Sequence, residues 1–181
     1  DWFRKPHKIA RMLGCEIIDV KLPEQTVFQN WKKQAHISSI AYARYFIPDY
    51  IQENTVLYLD CDLLINDKLD NLFEQDIEER YIAAIRDANG QGFNTGVLLI
   101  NNKKWRQEKL KERLIEQSIR TTKEVEEGRF EHFNGDQTIF NQVLQDDWLE
   151  LGRAYNLQVG HDGVALYNNW QEHLTFSDKP V

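Results

Sequence analysis

Three short, continuous apolar runs limit what this chain can fold into. They span Thr55–Leu59, Tyr81–Ile85 and Gly96–Ile100, and each is flanked by turn-forming or charged residues. Runs of this kind are typical of strands buried on both faces, as in a parallel sheet that is covered by helices. The sequence therefore predicts a central sheet with helices packed on it.

Helical patterns precede and separate these runs. Asp1–Leu13 predicts a helix that ends at Gly14, and Ser38–Phe46 predicts another, with Pro48 just past its end. Between them, the short β-branched segment Glu16–Val20 predicts a further strand.

The second half of the chain continues the alternation. Lys103–Glu127 predicts a long amphipathic helix, and Gln137–Leu144 predicts a shorter one. Strands that alternate with helices predict an α/β fold with a mostly parallel sheet. The apolar stripe of the long helix is expected to be structural, and its members are Trp105, Leu110, Leu114, Ile115 and Ile119.

Composition bounds the classes of protein to consider. The chain has 181 residues, 41% hydrophobic and 28% charged, with no repeat or linker-like segment, so residues 1–181 are read as one domain. Its net charge of -7 disfavours nucleic-acid binding. An anionic small molecule remains compatible, because a divalent cation can supply positive charge.

The compartment is predicted from two negative observations and the cysteines. No apolar run is long enough to span a bilayer, and no signal peptide is visible. Cys15 and Cys61 are isolated thiols, which suit a reducing compartment. We therefore expect a cytoplasmic protein.

The strongest local signal is Asp60-Cys61-Asp62 at the end of the first apolar run. On an extended chain, side chains at i and i+2 point the same way, and the carboxyl ends of parallel strands are where open sheets bind ligands. Two carboxylates there suit Mg²⁺ or Mn²⁺. The alternatives are a solvated turn and a phosphatase of haloacid dehalogenase type, although the Leu63-Leu64 that follows lacks the hydroxyl expected of the latter.

Two later segments carry candidate sugar-binding side chains. In the segment from Phe93 to Asn101, Asn94 offers both a donor and an acceptor, and Gly96 permits a close approach to the backbone. Asp136 and Gln137 could bind sugar hydroxyls, and Asp136 could equally be only a helix cap. Near the end of the chain, His173 is a candidate metal ligand and Lys179 a candidate phosphate contact, although each alone is usually just surface.

Taken together, these pieces resemble glycosyltransferase family 8, which includes glycogenin and bacterial lipopolysaccharide galactosyl- and glucosyltransferases. The resemblance runs from about His36 to Pro180. The segments that carry it are His36-Ile37-Ser38 with Tyr42-Ala43-Arg44, Leu57-Tyr58-Leu59-Asp60-Cys61-Asp62, Phe93-Asn94-Thr95-Gly96-Val97-Leu98-Leu99-Ile100-Asn101 with Trp105, and Asp136-Gln137 with Asn141.

The resemblance implies a nucleotide-sugar-binding α/β sandwich and a site. Asp60, Asp62 and His173 match the family's metal ligands, normally for Mn²⁺, with Mg²⁺ as the other candidate. Positions that bind the donor or acceptor are matched by His36, Arg44, Asn94 and Lys179, and the proposed catalytic positions are Asp136 and Gln137.

The chain departs from the family pattern in two places. Phe176 stands where the closing motif has a glycine, and Val181 where it has a tryptophan. A bulky residue at a glycine position puts the phosphate contact of that loop in doubt. Nothing before Asp1 supplies the family's first strand and helix, so that unit is expected to be missing.

The expected activity is retaining transfer of glucose or galactose from a UDP-sugar to a glycan, lipopolysaccharide or glycoprotein acceptor. Covalent and front-face mechanisms both stay open, because Gln137 is a poor nucleophile and Asp136 is equally suited to binding sugar hydroxyls. An inactive domain that binds a sugar nucleotide or a partner protein is the non-enzyme alternative. Any membrane association would be peripheral and would use parts outside this sequence.

Overall fold

A computed structural model describes residues 4–20, 39–130, 132–158 and 160 of the chain. It has an α/β architecture, in which a small open sheet is flanked by helices. The elements, in chain order, are α1 (Arg4–Met12), a 3₁₀ helix (Ser39–Phe46), α2 (Ile47–Tyr50), β1 (Thr55–Leu59), α3 (Asp70–Phe73), β2 (Ile82–Ile85), β3 (Val97–Asn101), α4 (Asn102–Gln107), α5 (Leu110–Glu126), α6 (Gly135–Leu144), β4 (Leu149–Leu151) and a second 3₁₀ helix (Arg153–Tyr155).

The predicted α/β class is confirmed, and the pairing within the sheet is mixed rather than mostly parallel. The described strands lie in the order β1-β3-β2-β4. β3 runs antiparallel to both of its neighbours, whereas β2 and β4 are parallel. Consequently β1, β2 and β4 point the same way, and their carboxyl ends share one edge of the sheet with the amino end of β3.

Two apolar clusters cover the two faces of this sheet. Leu98 and Ile100 of β3 belong to the larger cluster, whereas Leu99 between them belongs to the smaller one. This alternation follows from the two-residue period of a strand. The larger cluster also holds the fully buried Tyr45 and Trp105.

β1 is less buried than the sequence predicted. Its boundaries, Thr55–Leu59, are those expected, but four of its residues are only half-buried and Thr55 is exposed. Among the described strands it lies at an edge, with β3 as its neighbour, so its apolar run does not mark a strand buried on both faces.

The long helix predicted over Lys103–Glu127 is two helices in the structure. α4 ends before Lys109, whose φ of +52° breaks the helical path, and α5 begins at Leu110. Leu110 and Leu114 are buried as expected, but Ile119 is 58% exposed and does not belong to the core. The apolar stripe is therefore shorter than its spacing suggests.

The N-terminal predictions had mixed outcomes. α1 is present, and Gly14 follows it with a φ of +72°, as a helix-ending glycine should. Residues 15–20 form no strand. The helix predicted over Ser38–Phe46 is a 3₁₀ helix over Ser39–Phe46, and Pro48 lies past its end as expected. Pro48 also lies inside the first turn of α2, a position that tolerates proline because its N–H would have no helical partner. In the ranges described, no helix is long and apolar enough to cross a membrane.

Candidate active site

The candidate site lies at the shared edge of the sheet. Asp60 follows β1, Asp87 follows β2, and Asn156 follows β4 after the second 3₁₀ helix. Asn94 and Thr95 precede β3, which starts at this edge because it runs the opposite way. Five polar side chains from distant parts of the sequence are thus placed by strand direction alone.

Arg44 is the hub of the site, at only 7% exposure. One terminal nitrogen donates to the carbonyl of Thr95 at 2.6 Å, and the other donates to Oδ1 of Asp60 at 3.2 Å. Its Nε donates to the carbonyl of Ala41 at 3.1 Å, and its guanidinium carbon lies 4.3 Å from the centre of the Tyr58 ring. A buried guanidinium needs such partners, because an unpaired buried charge is costly.

Asp136 lies on the other side of Arg44, and is 4% exposed. Its Oδ2 is 3.0 Å from Nε of Arg44. That N–H is directed to Ala41, so Oδ2 has an ion-pair contact but no hydrogen bond among the described residues. Burial raises the pKa of Asp136 to about 6, opposed by the charge of Arg44 and reinforced by that of Asp60.

The helix-cap interpretation of Asp136 is wrong. α6 begins at Gly135 with Asn134 as its N-cap, so Asp136 lies within the first turn. In the first turn of a helix, nearby backbone N–H groups partly stabilise the charged form of the carboxylate. Asp136 is a buried carboxylate at a helix N-terminus, where the helix favours negative charge but burial, the larger effect, disfavours it.

Gln137 connects two strands of the site. Its Nε2 donates to Oδ2 of Asp87 at 2.6 Å, and its Oε1 accepts from the backbone N–H of Thr95 at 3.2 Å. Oδ1 of Asp87 accepts from the backbone N–H of Asn89 at 3.0 Å. Asp87 was not among the predicted site residues, although a carboxylate just past an apolar run was the same signal that singled out Asp60.

Asn94 and Asn156 are hydrogen-bonded to each other beside the start of β3. Oδ1 of Asn94 accepts from the N–H of Gly96 at 2.8 Å and from Nδ2 of Asn156 at 2.9 Å. A Cβ on Gly96 would lie 3.0 Å from Oδ1 of Asn94 and 3.2 Å from Oδ2 of Asp60. The close approach that Gly96 permits in this structure is therefore that of two site side chains. Asn156 had no sequence signal of its own.

The loop before β3 is held by Asn141 of α6. Its Oδ1 accepts from the N–H of Phe93 at 2.8 Å, and its Nδ2 donates to the carbonyl of Phe93 at 2.9 Å. Gly92 has a φ of +63°, and a Cβ there would lie 1.9 Å from Oδ1 of Asn141. Only glycine fits at position 92 while Asn141 holds this loop.

The proposed metal ligands differ in backbone setting. The N–H of Asp60 donates to the carbonyl of Gly96 at 2.8 Å and so continues the strand ladder. Cys61 and Asp62 form an exposed turn, so the two-residue period of a strand does not apply to Asp62. The expectation that both carboxylates project alike from one extended segment is therefore wrong in its premise.

The oxygen donors nevertheless suit a hard divalent cation. Oδ1 of Asp60 accepts from the hydroxyl of Tyr58 at 2.6 Å, whereas its Oδ2 has no hydrogen-bond partner in the described residues. Those same residues contain no group of three side chains that could hold a metal ion. His173, His36 and Lys179 lie outside the described residues.

Comparison with known proteins gives one consistent result. The family model described as "Glycosyl transferase family 8" matches residues 5–180. The chain is 81% identical over its whole length to glycosyltransferase GlyD of Streptococcus pneumoniae serotype 4, of which it spans 22%. It is 41% identical to glycosyltransferase GlyE of the same strain, covering 93% of this chain and 41% of GlyE.

Solved structures agree with this result. The apo form of GlyE superposes with a TM-score of 0.74 at 37% identity, over 99% of this chain and 42% of that one. The galactosyltransferase LgtC, solved with donor and acceptor sugar analogues, gives a TM-score of 0.68 at 26% identity, over 92% of this chain and 62% of that one. This chain therefore spans well under half the length of the curated relatives GlyD and GlyE, and it belongs to glycosyltransferase family 8.

Proposed function

We propose that this chain forms the metal-binding and sugar-binding part of a retaining hexosyltransferase. The donor is a UDP-sugar carrying glucose or galactose, and the acceptor is a glycan, lipopolysaccharide or glycoprotein. The observation that carries the proposal is a connected set of polar side chains at one edge of the sheet. The buried Arg44 contacts Asp60, Asp136 and the carbonyl of Thr95, and Gln137 joins Thr95 to Asp87. The phosphatase alternative is dropped, because the family match covers residues 5–180.

Asp60 and Asp62, with His173, are the proposed ligands of Mn²⁺, with Mg²⁺ as the substitute. When bound, the cation would neutralise the charge that develops on the departing nucleoside diphosphate. Arg44 and Tyr58 both bond to Oδ1 of Asp60, which fixes the carboxylate and leaves Oδ2 for the metal. Lys179 is the proposed second contact to the diphosphate.

The donor sugar is proposed to lie against Asn94, Asp136 and Gln137. Gln137 is held at both ends of its carboxamide, because Nε2 donates to Asp87 and Oε1 accepts from both the backbone N–H and the hydroxyl of Thr95. Its remaining N–H is therefore fixed in direction. A preorganised amide of this kind orients a hydroxyl without losing side-chain entropy when substrate binds. Asp136 supplies negative charge beside the sugar, where positive charge develops as the diphosphate leaves.

Two features support the remaining parts of the proposal. Cys15 and Cys61 are free and exposed thiols, which supports a reducing, cytoplasmic location. The site faces the edge of the sheet at which β1, β2 and β4 end, and the carboxyl ends of strands are the usual position of ligands in open α/β folds.

The test uses the full-length chain that carries these residues. UDP-glucose and UDP-galactose are supplied with Mn²⁺, and UDP release is measured with and without EDTA. Asp60→Asn should abolish Mn²⁺-dependent release, whereas Glu116→Gln, a change of the same chemistry at an exposed position of α5, should leave it intact. Release that ignores EDTA and Asp60→Asn alike would reject the metal-dependent transferase.

A further inference from the structure

A groove of about 650 Å³ opens beside the candidate site, between the loop that follows β2 and helix α6. We call it the amide groove, because carboxamides dominate its lining. Its lining includes the carboxamide side chains of Asn89, Gln91, Asn134, Gln137, Asn141, Gln142 and Gln145, and the rings of His132 and Phe133.

The groove shares a wall with the candidate site. Gln137 lines it and also bonds to Asp87 and Thr95 within the site. Asn141, which holds the loop at Phe93, forms the groove floor next to Gln137. A molecule that enters the site from this side would lie along the groove.

The groove walls have hydrogen-bonding capacity that the protein does not use. Within the described residues, the side chains of Gln91, Asn134 and Gln145 have no hydrogen-bond partner. Asn89 uses only its Oδ1, which accepts from the N–H of Gln91 at 2.7 Å. Each carboxamide offers both donors and an acceptor, which is the pattern that sugar hydroxyls complement.

By contrast, Gln142 is already committed. Its Oε1 accepts from Oγ1 of Thr121 at 2.8 Å and from Nε2 of Gln117 at 3.0 Å, which ties this wall to helix α5. The groove therefore has a fixed wall on the α5 side and unpaired amides around its opening.

Gln145 adds an independent observation, because its backbone is strained. Its φ is +48° and its ψ is -105°, a region that favours glycine. Strain of this kind costs on the order of 1–3 kcal/mol and gathers at binding and catalytic sites. Position 145 is a glutamine although glycine would adopt these backbone angles more easily, and Gln145 lines the groove.

We propose that the amide groove binds the inner sugars of a neutral oligosaccharide acceptor, those that precede the sugar receiving the hexose. This inference rests on the proposed function, since it assigns the acceptor of the same site. A volume of about 650 Å³ exceeds what a single sugar ring fills and falls within the range of specific ligand pockets. His132 and Phe133 supply ring surfaces on one wall, as sugar-binding sites commonly use.

The test measures the dependence of binding on glycan length. The full-length chain, loaded with UDP and Mn²⁺, is screened on an array of neutral oligosaccharides of one to five sugars. The strongest binder and its terminal monosaccharide are then compared by calorimetry. The oligosaccharide should bind at least tenfold more tightly. If no glycan binds, or if the monosaccharide binds equally well, the inference is overturned.

Variants assign any length dependence to the groove. Gln91→Ala combined with Gln145→Gly should remove the tenfold gain, while the affinity for UDP stays within twofold. Gln107→Ala, an exposed glutamine at the opposite edge of the sheet, should change neither. Gln145→Gly alone should not lower the melting temperature, since glycine accepts the backbone angles at this position. It should nevertheless lower the affinity for the oligosaccharide. If the double variant still binds the oligosaccharide at least tenfold more tightly than the monosaccharide, the acceptor lies elsewhere.

The two proposals fail in different ways. If the wild-type chain binds no UDP with Mn²⁺ but retains length-dependent glycan binding, the transferase proposal falls and the groove stands. If UDP binds and glycan length has no effect, the groove falls and the transferase proposal stands.

Discussion

The cluster around Arg44 and the amide groove are neighbours with opposite physical character. In the cluster, the buried guanidinium contacts Asp60, Asp136 and the Thr95 carbonyl, and little of its surface reaches water. In the groove, neutral amides stand at the surface with unused hydrogen bonds. The difference separates a region whose geometry is set before any ligand arrives from one that can adapt to different ligands.

The largest expected effect comes from removing the hub of the cluster. Arg44→Met should lower the free energy of unfolding by about 3–5 kcal/mol, because it leaves the buried carboxylate of Asp136 without its cation. Arg120→Met on the exposed face of α5 is the matched control and should change it by less than about 0.5 kcal/mol. Urea denaturation measures both. A loss below about 1 kcal/mol for Arg44→Met would mean that the cluster is no more fixed than the groove.

Asp136 gives the next effect, and its sign is opposite. Because its pKa is raised to about 6 in the folded protein, the folded state holds more protons than the unfolded state between about pH 4 and pH 6. Stability should therefore fall as the pH rises through that window. Asp136→Asn should remove this fall and stabilise the protein at pH 7 by on the order of 2 kcal/mol, measured by denaturation in EDTA.

The same variant separates stability from turnover. If Asp136 acts on the donor sugar, Asp136→Asn should lower kcat by roughly a hundredfold or more while the protein becomes more stable. Asp136→Ser should behave alike, because a cap at this position is not what the structure contains. Turnover equal to wild type in both variants would remove Asp136 from the chemistry.

Gly92 and Asn141, which lie between the two regions, should have smaller and mutually dependent effects on the free energy of unfolding. Gly92→Ala should cost about 1–3 kcal/mol, because the new Cβ would collide with Asn141 from a backbone angle that disfavours alanine. Asn141→Ala removes the collision, so the double variant should lose less than the sum of the single changes. Strict additivity in this double-mutant cycle would show that Asn141 does not restrict position 92.

The smallest effect belongs to the groove itself. Gln91→Ala should change stability by less than about 0.5 kcal/mol, because its side chain bonds to nothing in the described residues. Thermal melting measures this change. A loss above about 1 kcal/mol would show that the groove amides hold the fold and would erase the contrast with the cluster.

Local sequence predicted the strands better than their arrangement. The boundaries of β1 are those expected from its apolar run, because a short β-branched segment ends where charged residues begin. The reversed direction of β3 left no local trace, since an apolar run looks the same in either direction. The break at Lys109 was equally hidden, because lysine is a common helix residue and its positive φ depends on tertiary packing.

The candidate site was predictable where a side chain stood beside a strand, and not where it depended on distant contacts. Asp60 and Asn94 flank apolar runs and are both in the cluster. Asp87 carried the same signal and was overlooked. The central position of Arg44 rests on contacts with Thr95 and Asp136, 51 and 92 positions away, which only the folded chain brings together.

The reversed strand has a consequence for how such a domain can diversify. Because β3 follows β2 as an antiparallel neighbour, residues 88–92 form a hairpin tip whose two ends are fastened to the sheet, with Arg86 bridged to Phe93. Doubling the length of a flexible tip costs only about 0.6 kcal/mol in chain entropy. Insertions or replacements at residues 88–91 can therefore reshape the amide groove, while Gly92 and the cluster around Arg44 stay in place. A single exchangeable hairpin is thus a route by which one scaffold acquires a new partner molecule.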